Sequence, residues 1–424
     1  MSGPEIITLG CRLNAAESES MRILAQGEDD LVIVNSCAVT NEAVRQTRQA
    51  IRKAKRARPD ARIFVTGCAA QVEPETFSAM PEVSRVLGNR EKFEAESFGR
   101  TLGSDPFGVG DGQVRVSDIM AVRETAPHLV TGFAERSRAF VEVQNGCDHR
   151  CTFCIIPFGR GNSRSVPAGL VVERIKALAG EGFNEVVLTG VDVTSYGPDL
   201  PGEPSLGLLI ERILRLVPEL PRLRLSSLDC IEMDDRLFEL AAGEPRFMPH
   251  LHMSFQAGDD LVLKRMKRRH SRGQAIETVS RLKERRPEIA IGADLIAGFP
   301  TETEEMHENS LRLIDECDIV MGHIFPYSPK KGTPAALMPQ VEHALVKERA
   351  KQLREATARR RSGWLKDLVG TRQKVLIERE DGIGHAENFA PVRLSAGGAK
   401  APVGAIVEVA VTNIENDELI GVKA

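Results

Sequence analysis

The chain has 424 residues, too many for one ordinary core and enough for two to four folding units. Hydrophobic residues make up 42% and charged ones 27%, a globular balance that excludes a wholly disordered or collagen-like chain. The net charge of −4 gives no global basic field, so a polyanionic partner has to be held by local patches.

No apolar run reaches the length needed to span a bilayer, and residues 1–10 have neither a basic start nor a hydrophobic stretch of signal type. A cytoplasmic protein without membrane contact is expected. Strands are predicted at 6–9, 30–35 and 61–66 and helices at 15–26 and 41–57, an order that implies a parallel sheet with crossover helices. Residues 97–135, including SDPFGVGDGQ, have weaker periodicity and read as a domain junction. The pattern restarts at 139, with strands at FVEVQ, EVVLTG, LRLSSL, HLHMSF, AIGADLIAG and IVMGHIFPYS. Helical patterns lie at 170–179, 206–217, 235–242, 259–269 with 274–285, and 304–317. Six such units are too few for a closed eight-unit barrel, but they can curl into a partial one with its site at the carboxyl ends of the strands. Residues 341–368 read as a long charged helix. The runs KVLIERE, GHAENFAPVRL, AIVEVAVTNI and ELIGVKA beyond it read as a small all-β barrel of about 55 residues. The expected class is α/β, divided into residues 1–115, 133–365 and 367–424.

Three cationic segments stand out. Residues 45–62 carry eight Arg or Lys with Asp60 as the only acid; Lys264, Arg265, Lys267, Arg268, Arg269 and Arg272 run without an acid; and residues 347–366 include Arg359, Arg360 and Arg361. Each alone reads as a solvated helix face, and the three together point toward nucleic acid.

Eight cysteines in so long an intracellular chain suggest metal ligands or catalytic thiols more than a disulfide framework. Cys147, Cys151 and Cys154 follow the first strand of the central segment, spaced so that one loop can wrap three thiolates around a cluster. Offsets of four and seven would also line a helix face, but Gly146, Asp148, His149 and Arg150 do not make an apolar stripe. A zinc knuckle with His149 as fourth ligand is the rival, although structural zinc loops usually add a distant second pair. Three thiolates on a four-iron cluster leave one iron open to a small chelating molecule. Cys11, Cys37 and Cys68 each follow the carboxyl end of a predicted parallel strand, in IITLGC, LVIVNSC and IFVTGC. Those ends share one rim, so three scattered cysteines become a candidate metal triad, with chance placement of core thiols as the alternative. Cys230 and Cys317 are expected to carry no ligand.

The pattern Cys-x-x-x-Cys-x-Phe-Cys after the first strand of a partial barrel resembles the radical S-adenosylmethionine superfamily, with Phe153 in the aromatic place. That resemblance implies that the methionine end of the cofactor binds the open iron and that electron transfer releases a 5′-deoxyadenosyl radical. The contexts GCRLNAAES, VNSCAVT and VTGCAAQ resemble the amino-terminal domain of the methylthiotransferases, which join it to a radical domain and a terminal β-barrel called TRAM. RGNSRS, LTGVDVTSYG, LRLSSLDCIEMD, HLHMSFQAGDDLVLKRMKRRH, DLIAGFPTETEE and FPYSPKKGTPAA extend the match over nearly the whole chain. GCRLNAAES and LRLSSLDCIEMD look closest to the branch that modifies N6-threonylcarbamoyladenosine next to the anticodon, the MtaB type, although Cys230 stands where that branch more often shows proline.

The resemblance implies transfer RNA as substrate, two 4Fe-4S clusters and S-adenosylmethionine as cofactors, and an electron donor such as flavodoxin or ferredoxin. Cys147, Cys151 and Cys154 would hold the radical-generating cluster, and Cys11, Cys37 and Cys68 a sulfur-carrying one. No catalytic side chain beyond these ligands is expected. Position and resemblance together place the cofactor near Phe153, Thr189, Gly190, Asp192, Ser226, Ser227, Gln256, Asp294 and Gly298, the last leaving room for adenine. Any of these can instead cap a helix or satisfy a turn. Arg160 and Arg164 are expected to approach RNA phosphates or the threonyl carboxylate, with a salt bridge as the alternative. Lys267, Arg268 and Arg269 are expected to contact RNA. Residues 371–424 hold more acids than bases, which shifts most expected phosphate contact to the three basic segments. Rival readings are methylthiolation of isopentenyladenosine or of a ribosomal protein, or a non-catalytic iron–sulfur carrier or RNA-binding scaffold.

Overall fold

The computed structural model describes residues 3–99, 112–123, 137–395 and 401–424. The chain forms two compact units, one of Met1–Val130, Glu142–Val166 and Ser328–Thr333, the other of Thr131–Val141, Pro167–Tyr327 and Pro334–Ala424.

In the first unit, strands Glu5–Thr8, Leu31–Ser36, Arg62–Gly67, Arg85–Leu87 and Val114–Arg115 lie side by side in chain order, all parallel. The sheet therefore has two more strands than expected, because RVL and VR are too short to carry a periodic signal. Val114–Arg115 falls in the stretch read as a junction; residues 100–111 and 124–135 of that stretch lie outside the described residues. Every residue of Leu31–Ser36 is buried, as expected for a parallel strand covered on both faces. Helix Asn41–Ala57 is started by Thr40, whose hydroxyl accepts from the Ala43 amide at 3.1 Å. It turns Thr47, Ile51 and Ala54, at helical spacing, onto the sheet.

Ala139–Glu142, Glu185–Thr189 and Arg222–Leu225 form one run of the partial barrel. Ser227–Leu228, His250–Gln256, Ala290–Ala297 and Ile319–Pro326 form the next, in parallel pairs. The expected third strand is thus broken at Ser226, where its amide turns to the Leu188 carbonyl at 2.9 Å. Helix His343–Asp367 buries Val346, Ala350, Leu353 and Thr357 along one stripe. Its last turn sends Leu365 into the core of a closed five-stranded barrel built from Arg372–Ile377, Ile383–Ala386, Pro391–Leu394, Ile406–Glu415 and Glu418–Lys423. GHAENFAPVRL, read as one run, is two strands joined by a turn that holds Phe389 at φ 68°.

That turn meets the amino-terminal ends of the large barrel's strands. The Phe389 ring stacks between His250 and His385, with centroids 4.9 and 4.4 Å away, and the guanidinium carbons of Arg138 and Arg224 sit 5.2 and 5.0 Å from its centroid. Beneath it Glu185, fully buried, takes Arg138 at 2.8 Å, Arg224 at 2.9 Å and Arg222 at 3.7 Å. Burial alone would raise the Glu185 carboxyl, yet Arg224 and Arg138 hold it down to about 2. Among the described residues no helix is long and apolar enough to cross a membrane.

Candidate cluster and cofactor sites

Parallel register decides where the amino-terminal cysteines go. Thr8 pairs with Asn35 and Asn35 with Thr66, so the three strands end at one level. Cys11 then caps helix Arg12–Leu24, Cys37 leaves its strand directly after Ser36, and Cys68 opens the short helix Cys68–Val72. The turn before Cys11 passes Cys37 so closely that a Cβ on Gly10, at φ +98°, would lie 2.8 Å from the Cys37 Cβ and 3.1 Å from its Sγ. Asn14 fastens the rim: its amide donates to the carbonyls of Leu9 (2.7 Å) and Ser36 (3.0 Å), and its Oδ1 lies 3.8 Å from the Cys11 thiol. Burial, then the neighbouring Cys68, pushes the Cys37 thiol up to about 11. Three thiols gathered at one rim form a soft donor set that suits iron or zinc.

The second cysteine group sits on a loop of the same unit, clamped by its own backbone. The Cys147 amide donates to the Gly161 carbonyl (3.0 Å), the Cys154 amide to that of Cys151 (3.1 Å), and Ser163 N–H to Asp148 (3.0 Å). Arg150 ties the Cys147 carbonyl (2.7 Å) to Asn162 Oδ1 (2.8 Å). Cys147, Cys151, Phe153 and Cys154 are all half-buried. The eight cysteines form no disulfide.

Arg160 and Arg164 are both buried. Arg160 is 2% exposed, paired with Glu17, the salt-bridge alternative, and its Nε lies 3.0 Å from Cys68 Sγ. Arg164, also buried, donates to the carbonyls of Asn162 (2.7 Å) and Arg160 (3.1 Å) and shapes the loop.

Among the strand-end residues of the second unit, Thr189 is buried, Gly190 is half-buried and Asp192 accepts from Ser195 Oγ at 2.9 Å. Ser226 is buried and its hydroxyl has no hydrogen-bond partner among the described residues, whereas Ser227 is exposed. Gln256 closes its strand at φ 69°. Gly298 departs from the expected reason for a glycine: a Cβ there would meet Val346 Cγ2 at 2.6 Å, so helix packing, with φ +69°, accounts for it without adenine. Asp294 lies within its strand, between His252 Nε2 at 2.9 Å and His323 Nδ1 at 3.3 Å. Burial opposes ionisation of Asp294, but those two imidazoles bring its carboxyl to about 2.

Sequence reasoning missed these histidines and a second buried cluster. Asp229 accepts from Arg268 at 2.8 Å and Arg269 at 3.4 Å and faces His270 at 3.6 Å. Despite burial, His270 and Arg268 hold the Asp229 carboxyl near 2. Arg268 is thereby paired within the protein, its guanidinium also donating to the Ser254 carbonyl at 2.8 Å. Lys267 stays exposed as the left-handed cap of helix Asp260–Met266, and Arg269, 43% exposed, also reaches Glu232. The alternation in HLHMSF, which sends His250 and His252 to one face, is the signal that could have found the histidines.

A cleft of about 360 Å³ opens between the last strand of the partial barrel, the long helix and the terminal barrel. His323, Arg354, Thr357, Arg361, His385 and Phe389 line it, a mixture of cations and stacked rings.

Residues 141–314 match the Radical SAM superfamily, and residues 4–88 match the Uncharacterized protein family UPF0004. The chain is 53% identical over 392 residues to the threonylcarbamoyladenosine tRNA methylthiotransferase MtaB of Rickettsia prowazekii (strain Madrid E), covering 92% of this chain and 91% of that protein. It is 35% identical to the MtaB of Aquifex aeolicus (strain VF5), with 91% and 95% covered. It is 31% identical to the tRNA-2-methylthio-N(6)-dimethylallyladenosine synthase of Paracoccus denitrificans (strain Pd 1222), with 99% and 96% covered. Among solved structures, the radical S-adenosylmethionine methyltransferase TsrM from Kitasatospora setae, with tryptophan and a cofactor analogue bound, shares the fold at TM-score 0.52 and 19% identity, over 76% of this chain and 67% of that one.

Proposed function

Because the chain belongs to the radical S-adenosylmethionine methylthiotransferases of the MtaB type, we propose that it replaces the C2 hydrogen of N6-threonylcarbamoyladenosine in transfer RNA with a methylthio group. That C–H bond is strong and unactivated, beyond a side-chain base. The bound clusters and S-adenosylmethionine supply the one-electron chemistry and the sulfur. The chain's own residues hold and orient. Cys147, Cys151 and Cys154 present one set of thiolates on a clamped loop, and Cys11, Cys37 and Cys68 another at a sheet rim. Phe153, Thr189, Gly190, Asp192, Ser226, Ser227, Gln256 and Asp294 offer polar and ring contacts to the cofactor. The unpartnered buried hydroxyl of Ser226 supports this most directly, since a buried polar atom without a partner is costly unless a ligand meets it. A flavodoxin or ferredoxin serves as electron donor, and the cytoplasm, where transfer RNA is processed, is the setting.

The observation that carries this reading over an iron–sulfur carrier is the convergence of Cys11, Cys37 and Cys68, which a carrier with one loop centre would not need. The dimethylallyl substrate is disfavoured by the gap between 53% and 31% identity. Mass spectrometry of transfer-RNA nucleosides from a deletion strain checks the proposal. 2-Methylthio-N6-threonylcarbamoyladenosine should vanish while its unthiolated precursor accumulates and the methylthiolated dimethylallyl nucleoside persists; loss of the latter instead would reassign the substrate.

For RNA contact we favour the cleft on the long helix, with Lys267 and Arg269 and the exposed face of Arg48, Lys53 and Arg56. Replacing Arg354 and Arg361 with glutamine should weaken transfer-RNA binding. The slope of log affinity against log salt should fall by roughly one for each phosphate no longer neutralised. An unchanged slope in a filter-binding titration would leave the cleft without a phosphate.

A further inference from the structure

We propose that Arg160 is a positioning residue that donates an N–H···S hydrogen bond to Cys68 as a ligand of the amino-terminal cluster and thereby raises that cluster's reduction potential. The inference rests on the reading that Cys11, Cys37 and Cys68 hold a cluster, and goes beyond it by naming what tunes the centre.

The geometry gives the guanidinium little freedom. Its Nε points at Cys68 Sγ from 3.0 Å, while its Nη atoms are taken by both carboxylate oxygens of Glu17 and by Asn14 Oδ1 at 2.5 Å. Glu17 is itself fully buried and is gripped from the other side by Lys92 Nζ at 2.7 Å. Lys92, also fully buried, donates to Asn89 Oδ1 at 2.7 Å. The Asn89 amide donates to the Gly159 carbonyl at 2.5 Å and lies 3.9 Å from the same Cys68 sulfur. A salt bridge serving stability alone would need only the Nη face. Aiming Nε at a sulfur as well is a use of the rigid fork that lysine cannot reproduce.

The consequence is electronic. Hydrogen bonds to a ligand sulfur draw charge from the thiolate and favour the reduced cluster, one of the recognised levers on iron–sulfur potentials. Arg160 also ends the short helix Ile156–Arg160 that follows the cysteine loop, so the loop segment carries the donor and the amino-terminal sheet carries the acceptor. A Cβ on the adjoining Gly159 would sit 3.2 Å from the Cys68 Cβ, which keeps the pair at close range.

The test uses the full chain with Cys147, Cys151 and Cys154 replaced by alanine, loaded with iron and sulfide, so that only the amino-terminal centre gives a signal. In a potentiometric titration followed by electron paramagnetic resonance, Arg160→Gln should lower the midpoint potential while iron content stays at the parent value. Arg160→Lys, which keeps the charge but loses the fork, should recover only part of the shift. The parent, loaded in D2O, should show a deuterium shift in its Fe–S(thiolate) Raman bands, a readout that needs no Arg160 variant to fold. Equal potentials in parent and Arg160→Gln at equal iron, or Raman bands indifferent to deuterium, would overturn the role of Arg160 while leaving the cluster assignment intact. A parent that takes up no iron would overturn the assignment itself, and this inference with it.

Discussion

Replacing Cys11, Cys37 and Cys68 together by alanine in the otherwise intact chain is expected to lower bound iron from about eight to about four atoms per chain and to abolish methylthiolation. Cleavage of S-adenosylmethionine under strong reductant should persist, since the loop of Cys147, Cys151 and Cys154 keeps its own clamps at Gly161, Asp148 and Asn162. On the proposed reading these three thiols seat the sulfur to be transferred, so the expected effect on activity is total, not graded. Iron analysis, 5′-deoxyadenosine formation and nucleoside mass spectrometry on one preparation separate the two halves of the chemistry. Full iron in the variant would show that the rim thiols hold no cluster.

The second large effect is on stability. Glu185→Ala is expected to cost about 3–5 kcal/mol, because it leaves Arg138, Arg222 and Arg224 buried around a missing anion, although Arg138 keeps its pair with Glu378. Its pH dependence follows from the sign of the shift. The folded carboxyl sits at about 2 and the unfolded one near the ordinary value of ~4.3, so this stabilisation is fully present above the unfolded value and is lost as pH falls through the folded one. Thermal unfolding of the metal-free protein between pH 7 and 3 should show wild type losing about 2 kcal/mol more than Glu185→Gln over that window, with the remainder lost below it. Parallel curves would mean that the carboxyl is not held by its arginines.

Much of the architecture was legible because buried parallel strands are written as short apolar runs, and each of LVIVNS, EVVLT and HLHMSFQ became one. The gathering of Cys11, Cys37 and Cys68 was legible for a related reason: parallel strands in register end at one rim, so equal placement after each strand means proximity in space. Strands of two or three residues, such as Val114–Arg115, leave no period to read. The fate of individual cations was not legible either. Arg160 looks like a surface arginine in RGNSRS because Glu17, its partner, lies 143 residues earlier, and Arg268 looks like its neighbours until Asp229, 39 residues away, claims it. Charge in a sequence says that a partner is needed; topology alone says whether that partner is a phosphate or a carboxylate. Gly298 carries the same lesson, its missing Cβ being filled by a helix distant in the chain.

The turn bearing Phe389 bears on how such a protein can be taken apart. With Trp364 and Leu365 rooted in one barrel and an aromatic ring seated among the arginines of the other, the carboxyl-terminal strands act as the floor tile of the catalytic scaffold. Pruning them would flood that foundation with water and strand its cations, so the terminal barrel is no detachable handle. Chimaeras that exchange it between relatives should therefore carry the Phe389 turn and its arginine seats across as a single graft.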